Sequence, residues 1–189
     1  AQGPEAAGQR ARRIAEAMTG GLLPIQGPPG TGKTWVGARL IGDALQRRNE
    51  SPTVILITAN SHKVINNLML ETIDYLDSEG VTATFGHVAG KGKVDDHPDI
   101  AMIASGGKLR DWINNKVAAG ESVVVGATKY ALCRPEMAGV ADLLVIDEAG
   151  QLTLADACGV AQSASMAIAL GDPQQLTAPV QAAHDESVD

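Results

Sequence analysis

The segment Gly27-Pro28-Pro29-Gly30-Thr31-Gly32-Lys33-Thr34 constrains this chain more than any other. It fits the pattern GxxxxGK[ST], directly after the apolar run Leu22 to Gln26 and directly before the helix-forming run Thr34 to Arg47. Glycines at a strand-to-helix junction let backbone N–H groups curl around a phosphate at a helix N-terminus, where the peptide dipoles favour an anion. Lys33 adds a mobile positive charge for the outer phosphates, and the Thr34 hydroxyl is a hard oxygen ligand suited to Mg²⁺. Phosphate binding is therefore expected at Gly27, Pro28, Gly30, Thr31, Gly32, Lys33 and Thr34.

The rest of the chain supplies a sheet for this loop to stand on. Four further apolar, β-branched runs read as short buried strands: Val54 to Thr58, Ser122 to Gly126, Leu143 to Asp147 and Met166 to Leu170, with a weaker one at Val81 to Phe85. Helical stretches alternate with them: Thr34 to Arg47, Lys63 to Asp77, Lys108 to Ala119 and Leu154 to Gln162. That alternation predicts an α/β fold, a mostly parallel sheet flanked by helices on both faces, with ligands beyond the carboxyl ends of the strands. Aromatics make up only 3% of the residues while 44% are hydrophobic, which suits a helix-covered sheet rather than an aromatic-rich sandwich.

The 189 residues fit one domain, placed at 9–181, with flexible ends at 1–8 and 182–189. Residues 89–107, rich in Gly, Lys, Asp and His, read as a surface loop or small insertion. The cluster Asp95, Asp96, His97 and Asp99 within it reads as a solvated acidic loop rather than a metal site. Cys133 and Cys158 form no CxxC pair and are expected to be small core residues. No apolar run reaches the roughly 18 residues of a membrane span, and the start lacks the apolar stretch of a secretion signal, so the expectation is a cytoplasmic protein with no membrane partner. The formal net charge of −7 argues against a broad basic face for nucleic acid, yet hydroxyls, amides and backbone N–H groups can hold a strand without one.

Leu143 to Ile146, then Asp147-Glu148-Ala149-Gly150, puts two carboxylates at the end of a buried strand, the second half of a phosphoryl-transfer site. Asp147 is expected to hold Mg²⁺ and Glu148 to orient and deprotonate the attacking water. Gly171-Asp172-Pro173-Gln174-Gln175-Leu176 follows another strand and on local grounds is an ordinary turn.

In the order GPPGTGKT, VIDEAGQ, GDPQQL, these segments resemble motifs I, II and III of superfamily 1 helicases, with the DEAG and GDPQQL forms similar to subgroup 1B. The resemblance spans Gln9 to Pro179. It implies a P-loop NTPase of RecA-like fold, using ATP and Mg²⁺ as the first motor domain of a helicase. It implies an adenine-reading role for Gln9, which locally is only a polar residue opening an amphipathic helix, and a γ-phosphate-sensing role for Gln175. Catalysis would rest on Lys33, Glu148 and Gln175.

Thr58-Ala59-Asn60-Ser61 resembles motif Ia, and Gly126-Ala127-Thr128 resembles motif Ic; Thr58, Asn60, Ser61 and Thr128 are accordingly expected to contact single-stranded nucleic acid, DNA ahead of RNA. Asn60 or Ser61 could equally cap the following helix, and the roles are compatible. Two departures from the family pattern are Thr177-Ala178-Pro179 after motif III and GAT at motif Ic, where a second hydroxyl residue is common.

TANSHKVINNL also resembles the helicase half of bacterial RecB-like nuclease and helicase fusions, although no nuclease motif is visible in this chain. The resemblance implies a second RecA-like domain, absent from this sequence, from the same full-length protein. Two other functions fit some of the same residues: a nucleotide-gated binding module that does not translocate, and a protein-remodelling AAA+ ATPase, which GDPQQL disfavours.

Overall fold

A computed structural model describes residues 6–47, 51–89 and 97–172. Among the described residues seven strands form one sheet: β1 (Gly21–Gln26), β2 (Val54–Thr58), β3 (Thr84–His87), β4 (Ile100–Met102), β5 (Val123–Gly126), β6 (Ala141–Ile146) and β7 (Ala164–Gly171). Every pairing is parallel, in the order β1-β7-β6-β2-β5-β3-β4. The central strands β2, β5 and β6 are buried almost throughout, which explains why they read as continuous Val, Ile and Leu runs rather than alternating patterns.

One face of the sheet carries α1 (Ala7–Ala17), α2 (Lys33–Arg47) and α3 (His62–Glu79); Leu40, Ile41, Ile65, Leu68 and Met69 pack there on Ile55, Ile57 and Val124. The other carries α4 (Leu109–Ala118), the short α5 (Lys129–Leu132) and α6 (Leu154–Ala161), with Leu109, Ile113, Leu132 and Val160 against Leu56, Val125 and Leu144. Successive side chains of a strand point to opposite faces, so Ile55 and Ile57 serve one layer while Leu56 serves the other. β1 pairs only with β7 among the described residues, and Pro24 is tolerated there because an edge strand does not need that N–H for a ladder.

The predicted strands and helices are all present, with shifted ends at the weakest one. The run expected at Val81 to Phe85 becomes a strand only from Thr84 to His87. Gly80 ends α3 in the left-handed conformation, φ 66°, and the Val81 N–H donates back to the Leu76 carbonyl at 3.0 Å, so the chain is still completing the helix cap where the apolar pattern begins.

The described part of residues 89–107, residue 89 and residues 97–107, is more than a loop. Within it Ile100–Met102 forms edge strand β4 on β3, and a 3-10 turn follows at Gly106–Lys108. Three residues give too short a periodic signal to detect, and pairing with β3 decides the outcome. Asp95 and Asp96 lie outside the described residues, while His97 and Asp99 sit in the turn entering β4, where the Asp99 N–H donates to His97 Nδ1 at 3.3 Å. The cysteines divide: Cys133 is half-buried and packs against the core beneath α4 to α6, while Cys158, expected in the core, is exposed. Among the described residues no helix is long and apolar enough to cross a membrane.

Candidate nucleotide and strand-binding site

The strand order sets the site. Because all seven strands run the same way, their carboxyl ends share one edge, and along it stand in turn the loop after β1, the end of β7, the Asp147-Glu148 turn after β6, the 59–61 loop after β2 and the 127–128 loop after β5. This is where an open α/β sheet presents ligand-binding groups.

The loop after β1 enters helix α2 with Gly30 and Gly32 at φ 77° and 79°, conformations that a side chain would strain. Gly27 also needs its missing side chain, since a Cβ would lie 2.6 Å from Thr31 Oγ1. The Gly27 N–H donates to the Gly171 carbonyl at 3.1 Å, tying the loop to the start of the GDPQQL segment. Lys33 Nζ donates to the carbonyls of Gly27 at 2.7 Å and Pro28 at 3.0 Å, so its ammonium spans the mouth of the loop. Lys33 and Thr34 are half-buried while Pro28, Gly30, Thr31 and Gly32 are exposed.

Asp147 is 3% exposed. Burial, reinforced by the neighbouring Glu148 charge, pushes its carboxyl up to about 6, although the Glu148 N–H donates to Asp147 Oδ1 at 2.9 Å and Lys33 favours the ionised form. That influence of Lys33 brings together two residues 114 positions apart. The Asp147 N–H continues the ladder to the Thr58 carbonyl at 2.8 Å. Glu148 then turns left-handed, φ 51° and ψ 42°, the only described non-glycine residue with positive φ, and its carbonyl accepts from the Gln151 N–H at 2.9 Å. A left-handed conformation is costly for a glutamate and is characteristic of functional positions.

The turn touches both flanking loops. A Cβ on Gly150 would lie 3.0 Å from the Asp172 carbonyl, so the turn packs backbone to backbone on the end of β7. On the other side Asn60 Nδ2 donates to Gln151 Oε1. Gln151 is a residue the motif-by-motif reading passes over, and only its contact with a residue 91 positions away singles it out.

The sequence-predicted strand contacts divide. Asn60 is exposed, while Ser61 and Thr128 are half-exposed; Ser61 caps α3, its Oγ accepting from the Val64 N–H at 3.3 Å. Thr58 is different: it is fully buried, and its hydroxyl has no hydrogen-bond partner among the described residues. Its place as the last residue of β2, between β5 and β6, encloses the side chain that the motif comparison places on the strand.

Gln9 is exposed on α1, beside Arg12, Asp43 and Gln46, in a groove between α1 and α2. Helix α1 is held to α2 by a two-point ion pair, Arg12 Nε and Nη2 on the Asp43 carboxylate at 2.7 and 2.6 Å. Gly8 rests against Val36 and Trp35, a Cβ there coming within 3.4 Å of Val36 Cγ2, so the start of α1 abuts the first turn after the phosphate loop. Gln175 lies outside the described residues.

The geometry defines a P-loop domain of RecA-like type, with the phosphate loop and paired carboxylates on one edge of a parallel sheet. Residues 7–91 match the family model described as AAA domain. The same fold occurs in a nuclease-deletion mutant of the Type ISP restriction-modification enzyme LlaGI, solved with a DNA substrate mimic (TM-score 0.62, 16% identity over 89% of this chain and 17% of that one). It also occurs in the UvsW helicase from bacteriophage T4 (TM-score 0.57, 14% identity, 89% of this chain and 52% of that one) and the Type ISP enzyme LlaBIII bound to DNA (0.58, 16%, 89% and 13%). No curated protein matches the sequence significantly. The family match covers fewer than half of the residues, and what the solved proteins share with this chain is the RecA-like fold. The chain spans about half or less of the length of these solved proteins.

Proposed function

We propose that this chain is the ATP-binding and hydrolysing first motor domain of a superfamily 1 helicase, which couples Mg-ATP hydrolysis to movement along single-stranded nucleic acid in the intact protein. The observation that carries the proposal is the turn 147–151, which holds the Asp147 and Glu148 carboxylates and touches the end of β7 on one side and the Asn60 loop on the other. A change in the position of Glu148 would therefore reach the strand-binding loops through direct contacts.

In this mechanism Lys33 leaves the Gly27 and Pro28 carbonyls for the β and γ phosphates, whose charge it offsets. Glu148 aligns the attacking water in line with the γ-phosphate and takes its proton. Mg²⁺ would be held by the Thr34 hydroxyl and the Asp147 carboxylate, where it would neutralise phosphate charge; two hard oxygens suit it, as does a buried acid whose ionisation needs a positive partner. Gln9 would read the adenine and Gln175 the γ-phosphate. Asn60, Ser61 and Thr128 would donate to strand phosphates without base preference, joined by Thr58 only if the end of β2 opens.

A second RecA-like domain would supply the arginine that speeds phosphoryl transfer by about 10³ to 10⁵, so the chain alone is expected to turn over slowly. The DNA complexes of the related folds favour DNA over RNA as the track, and the Type ISP enzymes keep a fused nuclease open.

The test is the ATPase rate of the intact protein at low salt, with and without single-stranded DNA or RNA. Stimulation of at least about tenfold is expected, with Glu148→Gln binding nucleotide but losing about 10² or more of the stimulated rate. Intact ATP binding without response to either polymer would instead indicate a nucleotide-gated binding module.

A further inference from the structure

His87, the last residue of β3, is fully buried, yet it contributes no hydrophobic side chain and takes no part in the chemistry above. Its ring nitrogen Nε2 lies 3.2 Å from Nδ1 of His62, the first residue of α3, with ring centroids 5.3 Å apart and planes tilted by 49°. The other nitrogen, Nδ1, is buried without a hydrogen-bond partner. Burial, and secondarily the neighbouring His62 charge, lower the His87 imidazole to about 4, so at neutral pH it is an uncharged ring that shares one hydrogen bond with His62.

Nothing about His87 is loosely held. Its carbonyl accepts from the Ile103 N–H at 2.9 Å, and it stands in register with Gly126 on one side and Met102 on the other. A Cβ on Gly126 would fall 2.5 Å from both Ile65 Cγ2 and Met69 Sδ and 3.4 Å from His87 Cδ2, so the first turns of α3 are seated tightly over the end of β5 beside this ring. His62 directly follows Asn60 and Ser61. A ring anchored in the sheet thus holds the residue that fixes where the Asn60-Ser61 loop begins its helix.

An apolar side chain of similar volume would fill the same space without leaving a buried nitrogen unsatisfied. A position that accepts that penalty makes a contact an apolar residue could not, and the contact made is the one to His62. We infer that His87 is a positioning residue for the strand-binding loop: its hydrogen bond to His62 sets the first turn of α3, and with it Asn60 and Ser61, in the orientation that engages nucleic-acid phosphates. The inference rests on the proposed strand-binding function.

The test uses the intact protein and three measurements: binding of a fluorescein-labelled oligo-dT, binding of a fluorescent ADP analogue, and thermal unfolding. His87→Phe is expected to weaken oligo-dT binding about 5- to 10-fold, leave nucleotide affinity within about 2-fold and leave the melting temperature unchanged or higher. His87→Gln, which keeps a polar group, should recover most of the lost affinity. His62→Ala, at a less buried site, should reproduce the loss, and the double variant should lose little more than either single one.

Wild-type affinity for oligo-dT in both His87→Phe and His62→Ala would overturn the inference. So would a loss of strand and nucleotide affinity together with a lowered melting temperature, because that describes a core residue. If the wild-type protein binds neither oligo-dT nor oligo-rU, the proposed function fails and the inference with it, an outcome visible before any variant is made.

Discussion

Asp147 and Glu148 are adjacent, yet the structure treats them differently: one is sealed at the end of a central strand and the other is turned left-handed into the open edge. For Asp147 the consequence can be given a sign. Its carboxyl is raised from 3.8 in the unfolded chain to about 6, so the folded state binds the proton more tightly, and the associated stability is present below pH 3.8 and is lost as pH rises toward 6. Asp147→Asn removes that ionisation while keeping an oxygen to accept from the Glu148 N–H. The variant is expected to gain about 1–3 kcal/mol over wild type in urea unfolding at pH 7.5, and the gain should vanish near pH 4. A variant less stable than wild type at pH 7.5 would show that the carboxylate is better solvated than its burial indicates. The same substitution should abolish Mg²⁺-dependent turnover, the trade expected where a site is built at the expense of the fold.

Helix α3 shows how packing and a proposed binding role meet in one element. Its Ser61 cap satisfies the Val64 N–H, Gly80 closes the far end in the left-handed conformation, and Ile65, Leu68, Met69 and Leu76 bury its inner face. Capping and strand contact, both open on the sequence, separate under substitution. Ser61→Ala is expected to cost about 1 kcal/mol in urea unfolding. Ser61→Asp keeps a capping oxygen and should stay within about 0.5 kcal/mol of wild type, while its charge facing phosphates should weaken oligonucleotide binding several-fold. Equal strand affinity in wild type and Ser61→Asp would leave Ser61 with the cap alone. The edge strand β4 is the converse case: Ile100–Met102 has no pattern of its own and is a strand because β3 offers it a ladder.

Over the whole molecule, net charge and site chemistry point the same way. With a formal charge of −7 and strand contacts expected from amides and hydroxyls, few counterions should be released on binding. For the 189-residue chain, a plot of log affinity against log salt concentration is expected to have a slope no steeper than about −2; one beyond about −4 would reveal a basic track. The sequence by itself determined the parallel α/β sheet, the phosphate loop and the acidic pair. A strand buried on both faces must be a continuous apolar run, and a loop wrapped around phosphate must have glycines at fixed spacing. It also placed Ser61 as a possible cap, because capping depends on residues within one turn. What only the tertiary structure decided are the relations between segments distant in the chain: the enclosure of Thr58 between β5 and β6, the contact of Asn60 with Gln151, the strand at Ile100–Met102 and the pairing of His62 with His87. Each depends on which strands become neighbours in the order β1-β7-β6-β2-β5-β3-β4, and local propensity carries no information about that order.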